Sequence, residues 1–412
     1  MILATLFWSV LLLLLASYII FQLYFNPLAK IPGPKLLSLT QLPWFLHNFR
    51  GNLPFWLRDL HQQYGPAVRI GPNEISFCAT SLQTWKTIRG SRPEMPKSEG
   101  GTGLLSPDLG AQVSSSGPSY LIVSTTEVHR RMRGALEPAF RDSAIREQEA
   151  VLRGHVGKLV NKIHDACCLS SQGVTKLDME LYCSLFTFDV AGDLLFGDDF
   201  GALASLKHDP WYATFFDTIQ AMSFGQIATY YHLAGILTKF TPKPLADSAK
   251  LFWNTSEKMV DHRLDQGRRD GRKDWVSYFE MQSRKDGAML EGVTRKELHK
   301  NAGLLLVTGS DTSGAALSGL LFHLCTNLRV YKKLVDEIRG KCSRQQDINI
   351  ERVGECSYLG CCIQESLRLY PPGPATIPHV VNRPGESIEG FHVPVGVSPS
   401  ESDHTGNFAD EI

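Results

Sequence analysis

One stretch of this chain commits it to a long helix, and the residues inside that helix are costly ones. Thr294-Arg295-Lys296-Glu297 has the form of a capping box, in which a threonine and a glutamate three residues on satisfy each other's backbone donors. An apolar run continues from it to about Asn327, roughly 33 residues and about 50 Å of helix. Gly303, Gly309, Gly314 and Gly319 lie in its interior. Each costs about 1 kcal/mol relative to alanine, roughly 4 kcal/mol together. That cost implies close approach of a flat or bulky partner. Within residues 304–322 an acid and an alcohol, Asp311 and Thr312, stand side by side among apolar neighbours. A carboxylate there is expensive unless it is hydrogen-bonded or functional. Taken alone, the segment fits a small-residue packing stripe with a polar patch equally well.

The N-terminus is the second constraint. Ile2–Phe25 holds no charged residue over 24 positions. At about 1.5 Å per residue it spans about 36 Å, more than a bilayer core of about 30 Å. A cleavable signal peptide is the competing reading. No Lys or Arg precedes the run, it exceeds the usual apolar region of about 7–15 residues, and Tyr18-Ile19-Ile20 continue past the small Ala16-Ser17. The expectation is an uncleaved anchor over residues 1–25. Lys30 and Lys35 follow it and place the body in the cytosol by the positive-inside rule. Pro27, Pro32 and Pro34 predict a stiff, extended linker over 26–35 with no helix.

The remainder reads as one mainly helical body. Residues 67–78 read as a hairpin turning at Gly71-Pro72-Asn73, with apolar and polar positions alternating. Residues 90–123 are rich in Gly, Ser and Pro and read as loop, as does the charged stretch 267–275. Ser124-Thr125-Thr126-Glu127 reads as a second capping box, its helix ended by Pro138. Helical spacing predicts a continuous amphipathic helix over 143–166 and further helices over 178–196 and 246–266. Ser357 is placed to cap a helix ending at Leu369, and residues 376–397 read as short strands. The fold class predicted is mainly α with a minor β-sheet, plus one N-terminal transmembrane helix. Lys plus Arg and Asp plus Glu are both 42, so nothing favours a nucleic-acid partner. Nine cysteines are scattered without paired C-x-x-C spacing, which predicts free thiols and no zinc site. The sequon Asn254-Thr255-Ser256 would stay unmodified on a cytosolic body.

Three further groups carry chemical potential. Glu365 and Arg368 are i, i+3 neighbours just before Tyr370-Pro371-Pro372; most such pairs are exposed ion pairs worth under about 1 kcal/mol. His129 and Arg133, four apart in His129-Arg130-Arg131-Met132-Arg133, share a helical face. An arginine fork suits a carboxylate, although a basic solvated face reads the same way. His379, after Pro378, is either a site residue or an ordinary surface histidine.

These motifs together resemble the haem-thiolate monooxygenases of the cytochrome P-450 superfamily, of the fungal microsomal type. Gly309-x-Asp311-Thr312-Ser313 matches the oxygen-activating helix, with Thr308 at the position usually held by Ala or Gly. Glu365-x-x-Arg368 matches the following helix. His129-x-x-x-Arg133 stands where the family has W-x-x-x-R. Phe188-Asp189-Val190-Ala191-Gly192-Asp193 and Phe196-Gly197 are similar to fungal members. The resemblance implies Thr312 as the hydrogen-bonding alcohol and Asp311 as the proton-relay acid. It implies Gly309 as the site of local opening beside the cofactor, and Arg133, His129 and His379 as haem-propionate partners. It implies a structural role for Glu365 and Arg368. The implied cofactor is haem, the implied electron donor an NADPH-dependent reductase, the implied substrate an apolar small molecule. The implied location is the endoplasmic reticulum membrane, with the catalytic domain over 36–412.

The family's ligand loop, F-x-x-G-x-R-x-C-x-G, does not occur in the 412 residues. Asn407-Phe408-Ala409-Asp410 is similar to the segment before the family's P-E-R-F. The expectation is therefore a cytochrome P-450-like fold incomplete at the C-terminus, binding haem if that region is supplied. An uncovered helix face and poor solubility would follow. An inactive truncated relative and a membrane-tethered binding protein are the alternative readings. Specificity is expected from variable loops at 93–123 and parts of 200–245.

Overall fold

The computed structural model describes residues 2–78, 82–90, 95–97, 120–122, 124, 126–169, 175–207, 210–233, 240–266, 273–279, 293–373 and 378–402. The chain forms two compact units. Residues 1–110, 222–240 and 373–412 make the first, and residues 111–221 and 241–372 the second.

The first unit opens with α1 (Ile2–Ile20), which continues as one π-helical segment, Phe21–Phe25. The predicted extended linker is not extended. Asn26 caps a short 3-10 helix, Pro27–Lys30, by accepting from the Leu28 N–H at 2.7 Å, and Leu28 is fully buried. The backbone then runs onto the sheet, where the Arg69 N–H donates to Pro32 O at 2.8 Å. A Cβ at Gly33 would meet Arg69 O at 2.6 Å, so only glycine fits. Proline's fixed φ is satisfied as well by a packed turn as by a spacer, which is why composition alone misled. Helices α2 (Leu42–Phe49) and α3 (Leu53–Tyr64) follow.

The hairpin forms as read: β1 (Ala67–Gly71) pairs antiparallel with β2 (Glu74–Cys78) across Pro72-Asn73. Its alternation does not mark a solvent face, because every residue of both strands is buried. The polar side chains have partners instead. Ser76 meets His61 Nε2 at 2.8 Å, and Glu74 accepts from the Gln41 amide. After α4 (Leu82–Arg89) the chain passes to the second unit and later returns. There β3 (Ser387–Ile388) and β4 (Phe391–His392) form a hairpin. Its turn residues, Glu389 and Gly390, have φ of 49° and 80°, the signature of a type I′ turn. Finally β5 (Ser398–Ser402) adds in parallel to β2. Ile75, Phe77, Val381, Ile388, Val393 and Val397 fill the core over this sheet.

The second unit is helical. It starts with α5 (Thr126–Leu136) and a 3-10 turn, Glu137–Phe140, that begins where Pro138 was expected to stop the helix. The expected capping box rests partly on Thr125, outside the described residues, and the Ser124 hydroxyl donates to Leu121 O rather than capping. The single helix expected over 143–166 is two, α6 (Asp142–Glu147) and α7 (Glu149–Cys168). Gln148 between them has φ of −90° and ψ of −2°, yet its N–H donates to Ala144 O and its carbonyl accepts from the Leu152 N–H, each at 3.1 Å, so the two helices meet at a distorted turn rather than a gap. Then come α8 (Met179–Phe196), α9 (Ala202–Ser205), α10 (Pro210–Tyr230), of which residues 222–230 are counted with the first unit, and α11 (Lys243–Gln266). Of the spans expected to hold variable loops, most of 93–123 lies outside the described residues, and 200–245 contains α9 and α10.

At its centre lies α12 (Arg295–Thr326), 32 residues long, opened by the full reciprocal capping box at Thr294 and Glu297. Helices α13 (Leu328–Lys341), α14 (Ile350–Gly354) and α15 (Ser357–Leu369) complete the unit. Ser357 does not cap α15. The Glu337 carboxylate does, accepting from Tyr358 N–H and Leu359 N–H at 3.0 Å each. An aromatic and aliphatic core, including Phe188, Leu195, Trp211, Tyr212, Phe252, Ala302 and Leu306, packs α8, α10 and α11 against α12.

Candidate functional site

The four interior glycines of α12 separate into two kinds. At Gly303 a Cβ would meet Ser256 Oγ at 2.5 Å, at Gly314 Thr187 Oγ1 at 3.0 Å and Ser184 Cα at 3.1 Å, and at Gly319 Tyr370 Cδ1 at 2.8 Å. Neighbouring helices of the same unit explain these three. At Gly309 a Cβ would meet nothing nearer than Ala191 Cβ at 3.8 Å. No protein neighbour requires this glycine. Around it the helix face carries exposed Thr308 and Ser313 and half-buried Leu305 and Thr312. The Thr312 hydroxyl donates back to Thr308 O at 2.5 Å, and the Thr308 hydroxyl to Leu304 O at 2.8 Å. Such back-bonding competes with the helix ladder and loosens it locally.

Asp311 is half-buried and makes no hydrogen bond or ion pair among the described residues. Burial pushes its carboxyl above the usual range, and the Glu180 carboxylate on α8 adds to the shift. Its charge in turn adds to the burial that raises the Tyr212 phenol. An acid with a raised pKa and no fixed partner holds a proton closer to neutrality than an ordinary aspartate does.

The α5 helix is fixed to the first turns of α12. Arg131 forks onto Glu297, Nη2 to Oε1 at 2.5 Å and Nη1 to Oε2 at 3.1 Å. The same carboxylate takes the Thr294 N–H at 2.9 Å. One turn on, Asn301 accepts from the Leu121 N–H at 2.7 Å. The sequence reading missed both contacts; only the capping glutamate was visible. On α5, His129 is half-buried; Arg133 is exposed and makes no ion pair or hydrogen bond among the described residues. Glu365 and Arg368 form a bidentate pair at 2.7 and 2.8 Å, each about half exposed at 56% and 50%. The Arg368 hydrogen bond holds the Glu365 carboxyl below its usual range. His379 lies in the first unit and is buried, not the surface residue that was one of its readings; its N–H donates to Pro399 O at 3.1 Å.

Within the second unit, the chemistry of α5 and α12 is compatible with part of a haem site. No protein neighbour requires the glycine at 309, as a flat ring on that face would, and the guanidinium of Arg133, uncommitted among the described residues, suits a carboxylate. Among the described residues no group of three or more His, Cys, Asp or Glu is placed to hold a metal ion, and all nine cysteines are free.

The family model for cytochrome P-450 matches residues 31–398. The chain is 35% identical to the cytochrome P-450 monooxygenase alt3 of Alternaria solani, over 94% of this chain and 72% of that protein. It is 33% identical to the monooxygenase lcsI of Purpureocillium lilacinum, over 95% and 73% respectively. It is 30% identical to the averantin hydroxylase of Dothistroma septosporum, over 94% and 70%. Fold and matches together define the class, a monooxygenase among the haem-iron oxidoreductases. The chain belongs to the cytochrome P-450 family.

Proposed function

We propose that this protein inserts one oxygen atom of O2 into an apolar small molecule of fungal secondary metabolism. Ile2–Phe25 anchors it in the endoplasmic reticulum membrane with its body in the cytosol, and an NADPH-dependent reductase supplies electrons. The averantin hydroxylase among its relatives supports the substrate class. The observation that supports the reading is Gly309, a glycine that no protein neighbour requires, its nearest being Ala191 at ordinary contact distance, two residues before an Asp311 that makes no hydrogen bond or ion pair among the described residues.

Bound haem iron supplies the activation of dioxygen. Arg133 and His129 on α5 would hold its propionates. Gly309 would leave the helix face free of a side chain where the cofactor packs. Thr312, on turning its hydroxyl away from Thr308 O, would present its Oγ1 proton on that face, and Asp311 would exchange protons with solvent to restore it. Glu365 and Arg368 act structurally.

Thr312→Ala tests this. Positioned proton transfer contributes about 10²–10⁴-fold, so turnover falls by at least about 100-fold. Reducing equivalents appear as hydrogen peroxide, while Thr312, half-buried, leaves the fold intact. Unchanged product per NADPH consumed would remove Thr312 from the reaction.

A further inference from the structure

The anchor's last turn is built into the first unit. Gln22 and Asn26 are buried, although they end an otherwise exposed apolar helix. The reason is Arg69 on β1, whose side chain is 1% exposed. Its guanidinium donates to Gln22 O at 2.9 Å, to Gln22 Oε1 at 2.7 Å and to Pro72 O at 2.8 Å. The Asn26 amide donates to the same Gln22 Oε1 at 2.8 Å. One turn earlier the Tyr18 hydroxyl donates to Leu39 O at 2.9 Å. A buried guanidinium is tolerated only when its donors are met, so these contacts are required by β1 as much as by the helix.

We propose that the membrane helix is clamped to the first unit through Arg69 and Gln22, so that the orientation of the helix fixes how this unit faces the lipid. The inference rests on the anchor reading proposed above. An extended tether over 26–35 would allow a stand-off of about 33 Å and free rotation. The clamp allows neither. From Ile2 to the residue before Gln22 is about 20 residues, or about 30 Å of helix, which the bilayer core takes up entirely. The clamp therefore sits at the headgroup level, and Tyr24 and Phe25, 72% and 71% exposed, point outward where interfacial aromatics belong.

The test uses the full-length chain in lipid nanodiscs. Trypsin cleavage after Lys30 and Lys35 is timed for the wild type, Arg69→Met and Gln22→Leu. Cleavage follows the population of the open form when closing is fast. The wild type is expected to resist, and both variants to be cut at least tenfold faster. Arg69 also holds the hairpin turn, so Arg69→Met can loosen β1 itself. Gln22→Leu leaves the hairpin's own bonds in place, and its rate decides. A Gln22→Leu rate equal to wild type, or a wild type cut as fast as the variants, overturns the clamp. Extraction of the intact chain by alkaline carbonate would instead overturn the anchor reading, independently of the cleavage rates.

Discussion

Among the described residues, Glu74 is a group whose protonation bears on stability across the neutral range. Its carboxyl is wholly buried on β2, which pushes it from an ordinary 4.5 up to about 7, against the pull of its Gln41 hydrogen bond. Gln41 Oε1 beside it is buried without a hydrogen-bond partner. A protonated Glu74 can donate to that oxygen while accepting from the Gln41 amide, so the neutral acid satisfies both groups. The nearby phenol of Tyr230 is itself pushed up, first by burial and then by Glu74. The folded state therefore binds the proton more tightly than the unfolded chain. Stability is greatest below pH 4.5 in this respect and falls as pH rises through about 7, by an amount on the order of 3 kcal/mol. Glu74→Gln, neutral at every pH, is expected to flatten the melting temperature of the first unit between pH 5 and 8. An unaltered slope in the variant would assign the pH dependence to other groups.

At the scale of the element, the two kinds of glycine in α12 make opposite predictions. Gly314→Ala drives a Cβ into the backbone of Ser184 at 3.1 Å, and overpacking of this kind costs about 1–3 kcal/mol. Gly309→Ala meets only Ala191 at 3.8 Å and gains helix propensity of about 1 kcal/mol. It should melt no lower than the wild type, yet lose haem affinity or turnover, because the face it narrows is the proposed ring face. Thermal melts and haem titration of the two variants separate these effects. A destabilised Gly309→Ala would mean that the face is already packed.

The same helix shows what was legible. Its start, length and acid–alcohol pair lay in contiguous residues, and local hydrogen bonding wrote them plainly: Thr294 and Glu297 cap each other in the fold as they do on paper. The turn at Pro72-Asn73 was equally local. What stayed hidden were choices of partner far along the chain. Arg69 and Gln22 stand 47 residues apart, Arg131 and Glu297 166 apart. Ser357 had the right chemistry to cap α15, but Glu337, 21 residues before Tyr358, brought a charged acceptor that holds two amides at once. No spacing rule encodes such a competition; it is decided by which acceptor packing delivers. Likewise α6 and α7 share one apolar pattern, and a distorted turn at Gln148, still bonded to Ala144 and Leu152, lies between them.

For the molecule as a whole, the contacts between α5 and the head of α12 carry a thermodynamic consequence. Arg131, Glu297, Asn301 and Leu121 form a continuous bonded frame, with the proposed propionate-gripping helix at one end and the proposed ring face further along the other. A ligand that binds only the folded frame stabilises it by RT ln(1 + [L]/Kd), about 2.7 kcal/mol at a hundredfold excess over Kd. Linkage is reciprocal, so the Leu121 amide reports on a cofactor it never touches. Its hydrogen exchange should slow by up to about 100-fold at a hundredfold excess of haem over Kd, and Asn301→Ala, which removes the acceptor for this amide, should lose that protection and bind haem more weakly. Occupancy of the site can then be read as a clock on a distant backbone proton, without a turnover being measured.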